Sequence, residues 1–441
     1  MKILSMYTHL FSRRNKYYLF NTETLVKASI TYDLYSKLKK NDFSMIDIEV
    51  LKALEKKHII IESVDKYNFY NSMEVKYNML NFDTEDMTLF IMPTTNCNFA
   101  CPYCFEGNKD IIKMTEAVQE QIVSFINSHL ELKTISLIWY GGEPLISFMS
   151  IKQIYDKIIK ETNVNIRKNS IITNGYLINK EILSFFSKIK LNNIQITLDG
   201  CAKNHNKTRF LKESGQGTFK KIVNNIVKTS KCLQQCTIDV RVNIDKNNYQ
   251  DFVFLYKLLH QLCNNNVNVY PGIIEVDNKY GTVLSCSCYN SKELYPLYHY
   301  YREHGCIVNY FPLAHKHGCF INNINSYIIG PRGELYKCPE DANHKERIIG
   351  SIFDSKIVNL SLWGRYVIES SQFKRNECKN CLCFPICSGG CGKKYLKNLY
   401  GRGEYSYCHP LQNLEYMEDA FFESLDEDLK QTDENKVINL Y

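Results

Sequence analysis

The chain has 441 residues, which is about three average domains if roughly 150 residues form one. Hydrophobic residues make up 44% and charged residues 23%, with 20 Gly and 10 Pro, and this composition excludes a disordered or fibrous protein. A formal net charge of +7 is too small to indicate a nucleic-acid partner. The first 20 residues lack the layout of a signal peptide, and no stretch approaches the ~20 apolar residues of a membrane span. We therefore expect a cytoplasmic protein with no membrane partner.

Residues 1–83 are predicted to form a small winged-helix-like module followed by a linker. Two short strands at residues 17–20 and 25–30 flank a polar turn, as in a β-hairpin. Ser44 and Asp47 resemble a capping box at the start of a helix. Ile48, Leu51 and Leu54 then repeat at helical spacing, and a strand is expected at 59–61. The polar, Asn- and Tyr-rich stretch 65–81 is predicted to be the connection onward.

Residues 84–291 alternate apolar strands with amphipathic helices, the pattern of a parallel sheet wound by crossover helices. The predicted strands are residues 89–92, 135–138, 171–172, 194–198, 238–242 and 267–269. Six such repeats indicate an α/β fold with a partial (β/α)6, TIM-like barrel. Ligands of such sheets bind at the carboxyl ends of the strands.

Residues 292–414 lose this alternation and are rich in Cys, Gly and Pro. The whole chain contains 18 Cys. Because disulfides are rare in the cytosol, metal or cluster ligation is the leading explanation for them. The acidic residues 415–441 are predicted to form a docking helix around Phe421, Phe422 and Leu425 followed by a solvated end.

The strongest local motif is formed by Cys97, Cys101 and Cys104, directly after the first predicted strand. Their spacing brings three thiolates to one loop, which suits a cubane iron-sulfur cluster. Three ligands leave one iron open for a small molecule. The alternative, a closed structural zinc site, prefers four protein ligands.

This loop resembles the cluster-binding signature of the radical S-adenosylmethionine (SAM) superfamily. Three further segments at strand ends agree with the resemblance: residues 141–144 (GGEP), 173–175 (TNG) and 197–200 (TLDG). The resemblance implies that SAM is the cofactor of the site, bound by one open iron of a 4Fe-4S cluster. The residues it implies as SAM contacts are Tyr103, Gly141, Gly142, Glu143, Thr197 and Arg209. Tyr103 would lie near the adenine, Gly141, Gly142 and Glu143 near the methionyl ammonium, and Thr197 and Arg209 near the methionyl carboxylate.

Seven later cysteines resemble the SPASM extension, which binds two auxiliary 4Fe-4S clusters in radical SAM enzymes that act on peptides and proteins. The resemblance assigns the first auxiliary cluster to Cys319, Cys338 and Cys391. It assigns the second to Cys378, Cys381, Cys387 and Cys408. The first lacks a clear fourth ligand, for which Cys306, Cys286 and Cys288 are candidates, or its open iron binds a substrate thiolate. A pair of structural zinc sites is the alternative.

The remaining cysteines, which include Cys383, fit neither pattern and are expected to be small buried hydrophobic side chains. His205 lies within a family element, but a satisfied core role is expected for it rather than catalysis. No catalytic acid or base is identified.

The resemblance implies a radical SAM/SPASM peptide maturase that oxidatively modifies a ribosomally made precursor. It would form a thioether or another cross-link, or modify a side-chain carbon. The module 1–83 would bind the leader of the precursor by strand addition. Reduced flavodoxin or ferredoxin would supply electrons to three 4Fe-4S clusters.

Two alternatives come from other classes of protein. One is an anaerobic sulfatase-maturating enzyme that forms formylglycine, although Pro339 replaces the Asp expected directly after Cys338, so that Glu340 or Asp341 would have to act as the base. The other is a non-enzymatic metal-binding scaffold. Intact Cys97, Cys101 and Cys104 speak against the scaffold.

Overall fold

Six parallel strands form the centre of the computed structural model, as predicted. The structure describes residues 1–104, 110–274, 289, 291–308, 318–354, 357–387, 389–401, 403, 405–408 and 414–431, with the side chains of 291 and 425–431 excepted. Among these residues, no helix is long and apolar enough to cross a membrane.

The amino-terminal part contains two small antiparallel sheets and three helices. Its elements are β1 (Lys2–Leu4), β2 (Thr8–Arg13), β3 (Lys16–Asn21), β4 (Lys27–Ile30), α1 (Tyr32–Lys40), α2 (Ile48–Lys56), β5 (Ile60–Glu62) and α3 (Asn68–Asn81). β2, β3 and β4 form one sheet, and β1 pairs with β5. The predicted hairpin is confirmed, since Tyr17 to Phe20 of β3 pair with Lys27 to Ile30 of β4.

Two predictions for this part are wrong in detail. The capping residue of α2 is Asp47, whose carboxylate accepts the backbone N–H groups of Glu49 and Val50 at 2.9 and 3.2 Å. Ser44 instead donates its hydroxyl to Asp42. The stretch 65–81, predicted to be a connection, contains the 14-residue helix α3.

The central sheet follows, with each strand trailed by one or two helices. Its elements are β6 (Asp86–Ile91), α4 (Glu116–Asn127), β7 (Thr134–Trp139), α5 (Phe148–Glu161), β8 (Asn165–Thr173), α6 (Lys180–Lys188), β9 (Asn193–Leu198), α7 (Ala202–Thr208), α8 (Phe219–Cys232), β10 (Thr237–Ile244), α9 (Tyr249–Leu262) and β11 (Val267–Ile273). These strands lie in the order β11-β10-β9-β8-β7-β6, and all neighbours are parallel. The predicted α/β fold class is confirmed.

The two faces of the sheet differ in polarity. Along β9, Ile194, Ile196 and Leu198 are fully buried in the hydrophobic core, whereas Gln195 and Thr197 are half-buried on the other face. Successive side chains of a strand point to opposite faces, so the apolar face packs on the helices. The polar face lines the interior of the partial barrel.

The carboxyl-terminal part extends the same sheet. Its elements are α10 (Leu294–Glu303), β12 (Ser326–Ile329), β13 (Glu334–Tyr336), β14 (Gly350–Ser351), α11 (Leu360–Gly364), α12 (Asn376–Lys379), α13 (Gly392–Tyr400) and α14 (Leu414–Gln431). β12 pairs with β6 in parallel, and β13 and β14 follow in antiparallel pairs. The loss of alternation after residue 291 therefore does not mark the end of the sheet.

Helix α14 packs on the amino-terminal sheet. Tyr416, Met417, Ala420 and Phe421 are buried, and the Phe421 ring lies 5.2 Å from the ring of Phe11. The opposite face of that sheet packs on α1 and α2. The last described helix is thus in contact with the amino-terminal sheet β2-β3-β4.

We expect Phe421→Ala to lower the free energy of unfolding by about 3–5 kcal/mol, because a fully buried aromatic ring would leave a cavity among aromatic neighbours. Chemical denaturation of the full chain measures this change. Phe254→Ala is the matched control, since Phe254 on α9 is 54% exposed and should change stability little. Equal stability of the two variants would contradict the docking of α14.

Candidate active site

The loop that follows β6 carries the first cysteine motif and is fixed by its threonines. Thr94 donates its hydroxyl to the carbonyl of Ile112 at 2.8 Å, and Thr95 donates to that of Asp110 at 2.6 Å. The Sγ atom of Cys97 accepts the backbone N–H of Phe99 at 3.4 Å. The two threonine hydrogen bonds therefore tie the two ends of this loop to each other.

The three thiols of this loop interact electrostatically. Burial raises the pKa of Cys101 to about 12, the Arg209 guanidinium opposes this, and the charges of Asp199, Cys97 and Cys104 raise it further. Such a thiol is protonated at neutral pH unless a cation binds it. A coordinating metal deprotonates a thiol outright, and soft thiolates are the ligands that iron-sulfur clusters use. The donor set therefore fits the cluster that the motif predicts.

Two glycines let the end of β7 close against the cysteine loop. A Cβ atom at Gly142 would lie 2.3 Å from the carbonyl oxygen of Asn96 and 2.4 Å from that of Thr95. Gly141 has a φ of +122°, which favours glycine. The N–H of Glu143 donates to the carbonyl of Asn96 at 2.8 Å. The glycines therefore position the predicted SAM-binding segment beside Cys97.

The buried carboxylate of Glu143 joins the ends of β7 and β8. Its Oε1 accepts the hydroxyl of Thr173 at 2.7 Å and the N–H of Leu145 at 3.1 Å, and its Oε2 accepts the N–H of Asn174 at 2.7 Å. Burial raises the pKa of Glu143, while these hydrogen bonds and the Arg209 charge lower it. Glu143 thus organises the loop, and its contact with a methionyl ammonium stays a prediction.

Asn174 connects the third motif to the first. Its Nδ2 donates to the Oδ1 of Asn98 at 2.8 Å and lies 4.0 Å from the Sγ of Cys97. The loops after β6, β7 and β8 are therefore linked by direct contacts at the carboxyl ends of their strands.

A network of buried polar side chains lies next to the cysteine loop. Arg209 donates from Nη1 to the hydroxyl of Tyr103 at 3.1 Å, and that hydroxyl donates to Asp199. Asp199 also accepts from Thr208 at 2.7 Å and from Asn243 at 3.0 Å. Sequence reasoning named Tyr103 and Arg209 but missed the roles of Asp199, Thr208 and Asn243, because these depend on contacts between separate elements.

The surroundings of Arg209 show whether this site suits a bound carboxylate. The residue is only 8% exposed, and among the described residues its Nε has no hydrogen-bond partner. A buried donor without a partner is costly, and a ligand carboxylate would satisfy it. The buried guanidinium therefore fits the methionyl carboxylate that the resemblance implies.

Thr197 lies apart from this network in the described contacts. It stands half-buried on the inner face of β9, in register with Arg241 of β10. Its predicted contact with the methionyl carboxylate stays a prediction.

His205 has a structural role, as expected. Its Nδ1 accepts the N–H of Asp199 at 3.3 Å, and its Nε2 lies 3.0 Å from the hydroxyl of Thr218, which itself donates to the carbonyl of Arg209. Burial lowers the pKa of His205 to about 3, so the imidazole is neutral and donates from Nε2. The imidazole thus links the backbone at Asp199, before α7, to the backbone at Arg209, after it, through Thr218.

The four cysteines predicted to bind the second auxiliary cluster lie together. Burial raises the pKa of Cys378, and the charges of Cys387 and Cys381 raise it further, whereas Arg375 lowers it. Burial also raises the pKa of Cys408, with additional effects of Cys387 and Cys381. The structure thus brings together cysteines that are up to 30 positions apart in the sequence.

Cys383 is buried, as expected, but it is not an isolated hydrophobic side chain. A hydrogen bond from Cys383 lowers the pKa of Cys381, and the Cys383 thiol lies 3.4 Å from the Sδ of Met417 on α14. Its position among the predicted ligands could not be read from the spacing of the motif.

Of the cysteines predicted for the first auxiliary cluster, Cys338 is buried, and Cys319 and Cys391 are partly buried. Burial raises the pKa of Cys319, and the Cys391 charge raises it further. Burial raises the pKa of Cys338 well above its usual value, and Lys393 opposes this. The Sγ of Cys391 accepts the N–H of Lys394 at 3.5 Å. Among the residues described, no three His, Cys, Asp or Glu side chains converge on a single metal-ion position.

Cys306 lies elsewhere in the described structure. It is buried after α10, and the charge of Lys257 on α9 opposes the rise of its pKa. No described contact joins it to Cys319, Cys338 or Cys391. The other candidates for a fourth ligand, Cys286 and Cys288, lie outside the described residues.

Tyr140 interacts electrostatically with cysteines of both regions. Burial raises the pKa of its hydroxyl, and the charges of Cys104, Cys338 and Glu340 raise it further. This buried tyrosine is therefore close enough to interact electrostatically with a cysteine of the first motif and with a predicted ligand of the first auxiliary cluster.

Comparison with known proteins agrees with this geometry. Residues 91–259 match the model of the Radical SAM superfamily. The radical SAM cyclopropyl synthase TigE of Paramaledivibacter caminithermalis is 23% identical over 417 residues, covering 85% of this chain and 84% of TigE. A cysteine-type anaerobic sulfatase-maturating enzyme of Clostridium novyi is 24% identical over 368 residues, covering 75% of this chain and 94% of that enzyme.

A solved structure shares the fold. Streptococcus suis SuiB bound to its precursor peptide SuiA superimposes with a TM-score of 0.53 at 15% identity, covering 94% of this chain and all of SuiB. The resemblance stated from the motifs is confirmed by these comparisons.

Proposed function

Because the chain carries a radical SAM domain over residues 91–259, we propose that it is an enzyme that matures a ribosomally made peptide. The observation that carries the proposal is that Cys97, Cys101 and Cys104 interact electrostatically on one loop beside the buried guanidinium of Arg209. The proposed product contains a thioether or another cross-link, or a modified side-chain carbon. Reduced flavodoxin or ferredoxin would be the electron donor.

The first site would use its residues as follows. Cys97, Cys101 and Cys104 would hold a 4Fe-4S cluster, and Arg209 would orient the methionyl carboxylate of SAM through its free Nε. When bound, cluster and SAM supply reductive cleavage of a sulfonium and abstraction of hydrogen from an unactivated carbon. Arg209 donates to Tyr103, which in turn donates to Asp199, so these two side chains would keep the guanidinium in place.

The auxiliary clusters would accept the electron that leaves the substrate. A closed-shell product formed from a substrate radical requires that one electron leave the substrate. Cys319, Cys338 and Cys391 would hold one acceptor, and the set around Cys378 and Cys408 the other. The electrostatic interactions of Tyr140 with Cys104 and Cys338 support an acceptor near the barrel site.

The amino-terminal module supports a peptide substrate. Both faces of its β2-β3-β4 sheet are covered, one by α1 and α2 and the other by α14. Its outer edges at β2 and β4 pair with no other strand of the described chain. An extended leader peptide would bind such an edge by main-chain hydrogen bonds.

Sulfatase maturation is the second candidate function, which the Clostridium novyi relative favours. Of the two carboxylates available as a base, Asp341 is 1% exposed, lies 2.9 Å from the Nζ of Lys393 and accepts the hydroxyl of Tyr366. The side chain of Glu340 is 54% exposed and interacts with the Tyr140 hydroxyl. Glu340 would therefore be the base that a substrate reaches.

Mass spectrometry with two peptides separates these candidates. One probe is a Cys-rich precursor with its leader, and the other is a sulfatase-derived peptide that contains the target cysteine. A product that loses two hydrogens and keeps its sulfur, formed only with the leader, supports the peptide maturase. Conversion of the sulfatase cysteine to formylglycine, with loss of sulfur, would establish the second function instead.

We expect protein purified and reconstituted without oxygen to contain ~12 Fe per chain, as three cubane clusters require. Iron and zinc analysis measures this, together with the magnetic spectrum of the reduced protein. SAM should change the spectrum of the cluster at Cys97, Cys101 and Cys104, because the open iron of that cluster would lie beside the predicted SAM contacts. A content near ~4 Fe with zinc making up the rest would contradict the auxiliary clusters and indicate structural zinc sites.

A further inference from the structure

A buried arginine lies close to the second set of cysteines. Arg375 is 2% exposed, and its guanidinium donates to the carbonyls of Gly389 and Ser370. Among the described residues, no carboxylate forms an ion pair with it within 4.0 Å, and its Nε has no hydrogen-bond partner. The carboxylate of Glu377, two residues along, accepts the hydroxyl of Tyr407, and the Arg375 charge lowers its pKa from more than 4.0 Å away.

Two aromatic rings enclose the guanidinium. Its Cζ lies 4.2 Å from the ring centroid of Tyr395 and 5.3 Å from that of Tyr407. Cation–π contacts offset part of the cost of burying the charge. They do not neutralise it, so a buried cation remains that needs a negative charge nearby.

Arg375 is linked to three of the four predicted ligands, directly through its backbone or through a residue that it contacts. Its backbone carbonyl accepts the N–H of Cys378 at 3.1 Å. Gly389, which binds its Nη1, donates its own N–H to the Sγ of Cys387 at 3.2 Å. Tyr407, which lies against its guanidinium, immediately precedes Cys408 in the sequence.

We propose that Arg375 is the buried counter-ion of the second cysteine set and stabilises the reduced state of the iron-sulfur cluster held there. This inference rests on the proposed function, because it requires a cluster at Cys378, Cys381, Cys387 and Cys408. Each one-electron reduction adds one negative charge to a cluster, and a fixed positive charge in a low-dielectric interior favours that step. Arginine is always protonated, so the effect does not depend on its titration.

The test is a redox titration followed by magnetic resonance on the full chain, in which Cys97, Cys101 and Cys104 are replaced by Ala. This background leaves the two auxiliary clusters. We expect Arg375→Met to lower the equilibrium constant for reduction of one cluster at least tenfold, or about 59 mV for one electron. The other cluster should keep its potential, and Arg375→Lys should keep most of the wild-type value at both.

Arg365→Met is the matched control. The Arg365 guanidinium also lies over a tyrosine, at 3.8 Å from the ring of Tyr400, but its contacts do not involve the predicted ligands. Both auxiliary potentials should therefore remain unchanged in this variant.

Iron analysis of the variants tests the inference if no cluster assembles at the second cysteine set of Arg375→Met. Loss of ~4 Fe in Arg375→Met with full iron in Arg375→Lys would support the requirement for a positive charge. Full iron with unchanged potentials in Arg375→Met would overturn the inference. Equal loss of iron in Arg375→Met and Arg375→Lys would also overturn it, because the hydrogen bonds of the guanidinium, and not its charge, would then be required. Zinc in place of iron in the wild-type protein would overturn the proposed auxiliary clusters themselves, before any variant is compared.

Discussion

Replacement of Cys97 by alanine is expected to reduce the formation of 5′-deoxyadenosine to the level of an enzyme-free control. The cluster would lose one of three ligands, and no fourth cysteine of this loop replaces it. We also expect iron to fall by ~4 per chain, because an incompletely ligated cubane is lost. Chromatographic analysis of SAM cleavage under reducing, oxygen-free conditions measures the first effect, and metal analysis the second.

Two controls show that the effect belongs to this site. Cys232→Ala removes an exposed thiol outside the predicted clusters and should leave iron content and deoxyadenosine unchanged. Cys387→Ala removes a predicted ligand of the second auxiliary cluster and should spare much of the SAM cleavage while damaging product formation. Ordinary turnover by Cys97→Ala would contradict the proposed mechanism and would favour a non-enzymatic scaffold.

Replacement of Gly142 by alanine should displace the cysteine loop. The new Cβ would lie 2.3 and 2.4 Å from two backbone carbonyl oxygens, which cannot move as the end of a flexible side chain would. We expect a loss of about 1–3 kcal/mol in the free energy of unfolding, as in other overpacked sites. SAM affinity and deoxyadenosine formation should also fall, because the loop carries Cys97. Denaturation and calorimetric titration with SAM measure both effects.

Gly364→Ala is the matched control for this prediction. A Cβ at Gly364 would meet no atom within 4 Å, and the residue lies in α11, where alanine favours helix. The control should therefore be neutral or stabilising by up to about 1 kcal/mol. Wild-type stability and SAM affinity in Gly142→Ala would contradict the close packing of β7 against the cysteine loop.

Helix α3 shows where local sequence was insufficient. Its Asn- and Tyr-rich stretch has weak intrinsic helix propensity and reads as a connection. In the structure, Tyr70 and Tyr77 lie two helical turns apart, and both rings pack against Phe373, at 5.2 and 5.0 Å. Because these contacts join residues some 300 positions apart, tertiary packing stabilises a helix that propensity alone does not predict.

The pairing of strand β12 is likewise not predictable from local sequence. Its four residues lie within the Cys-rich segment 292–414 and carry no repeat that connects them to the barrel. They pair with β6, more than 230 positions earlier in the chain. A short buried strand gives no sequence signal for its partner, since hydrogen bonding between backbones is independent of side-chain identity.

The sequence by itself determined the six parallel strands of the barrel and the cysteines of the first motif. Both are local patterns: alternation follows from the geometry of a strand, and ligands on one loop need only the right spacing. Only the tertiary structure decided how Arg209 meets Tyr103 and Asp199, and how Arg375 is buried against Tyr395 and Tyr407 near the second cysteine set. The physical reason is that the energy of a buried charge depends on its surroundings, and those surroundings come from distant parts of the chain.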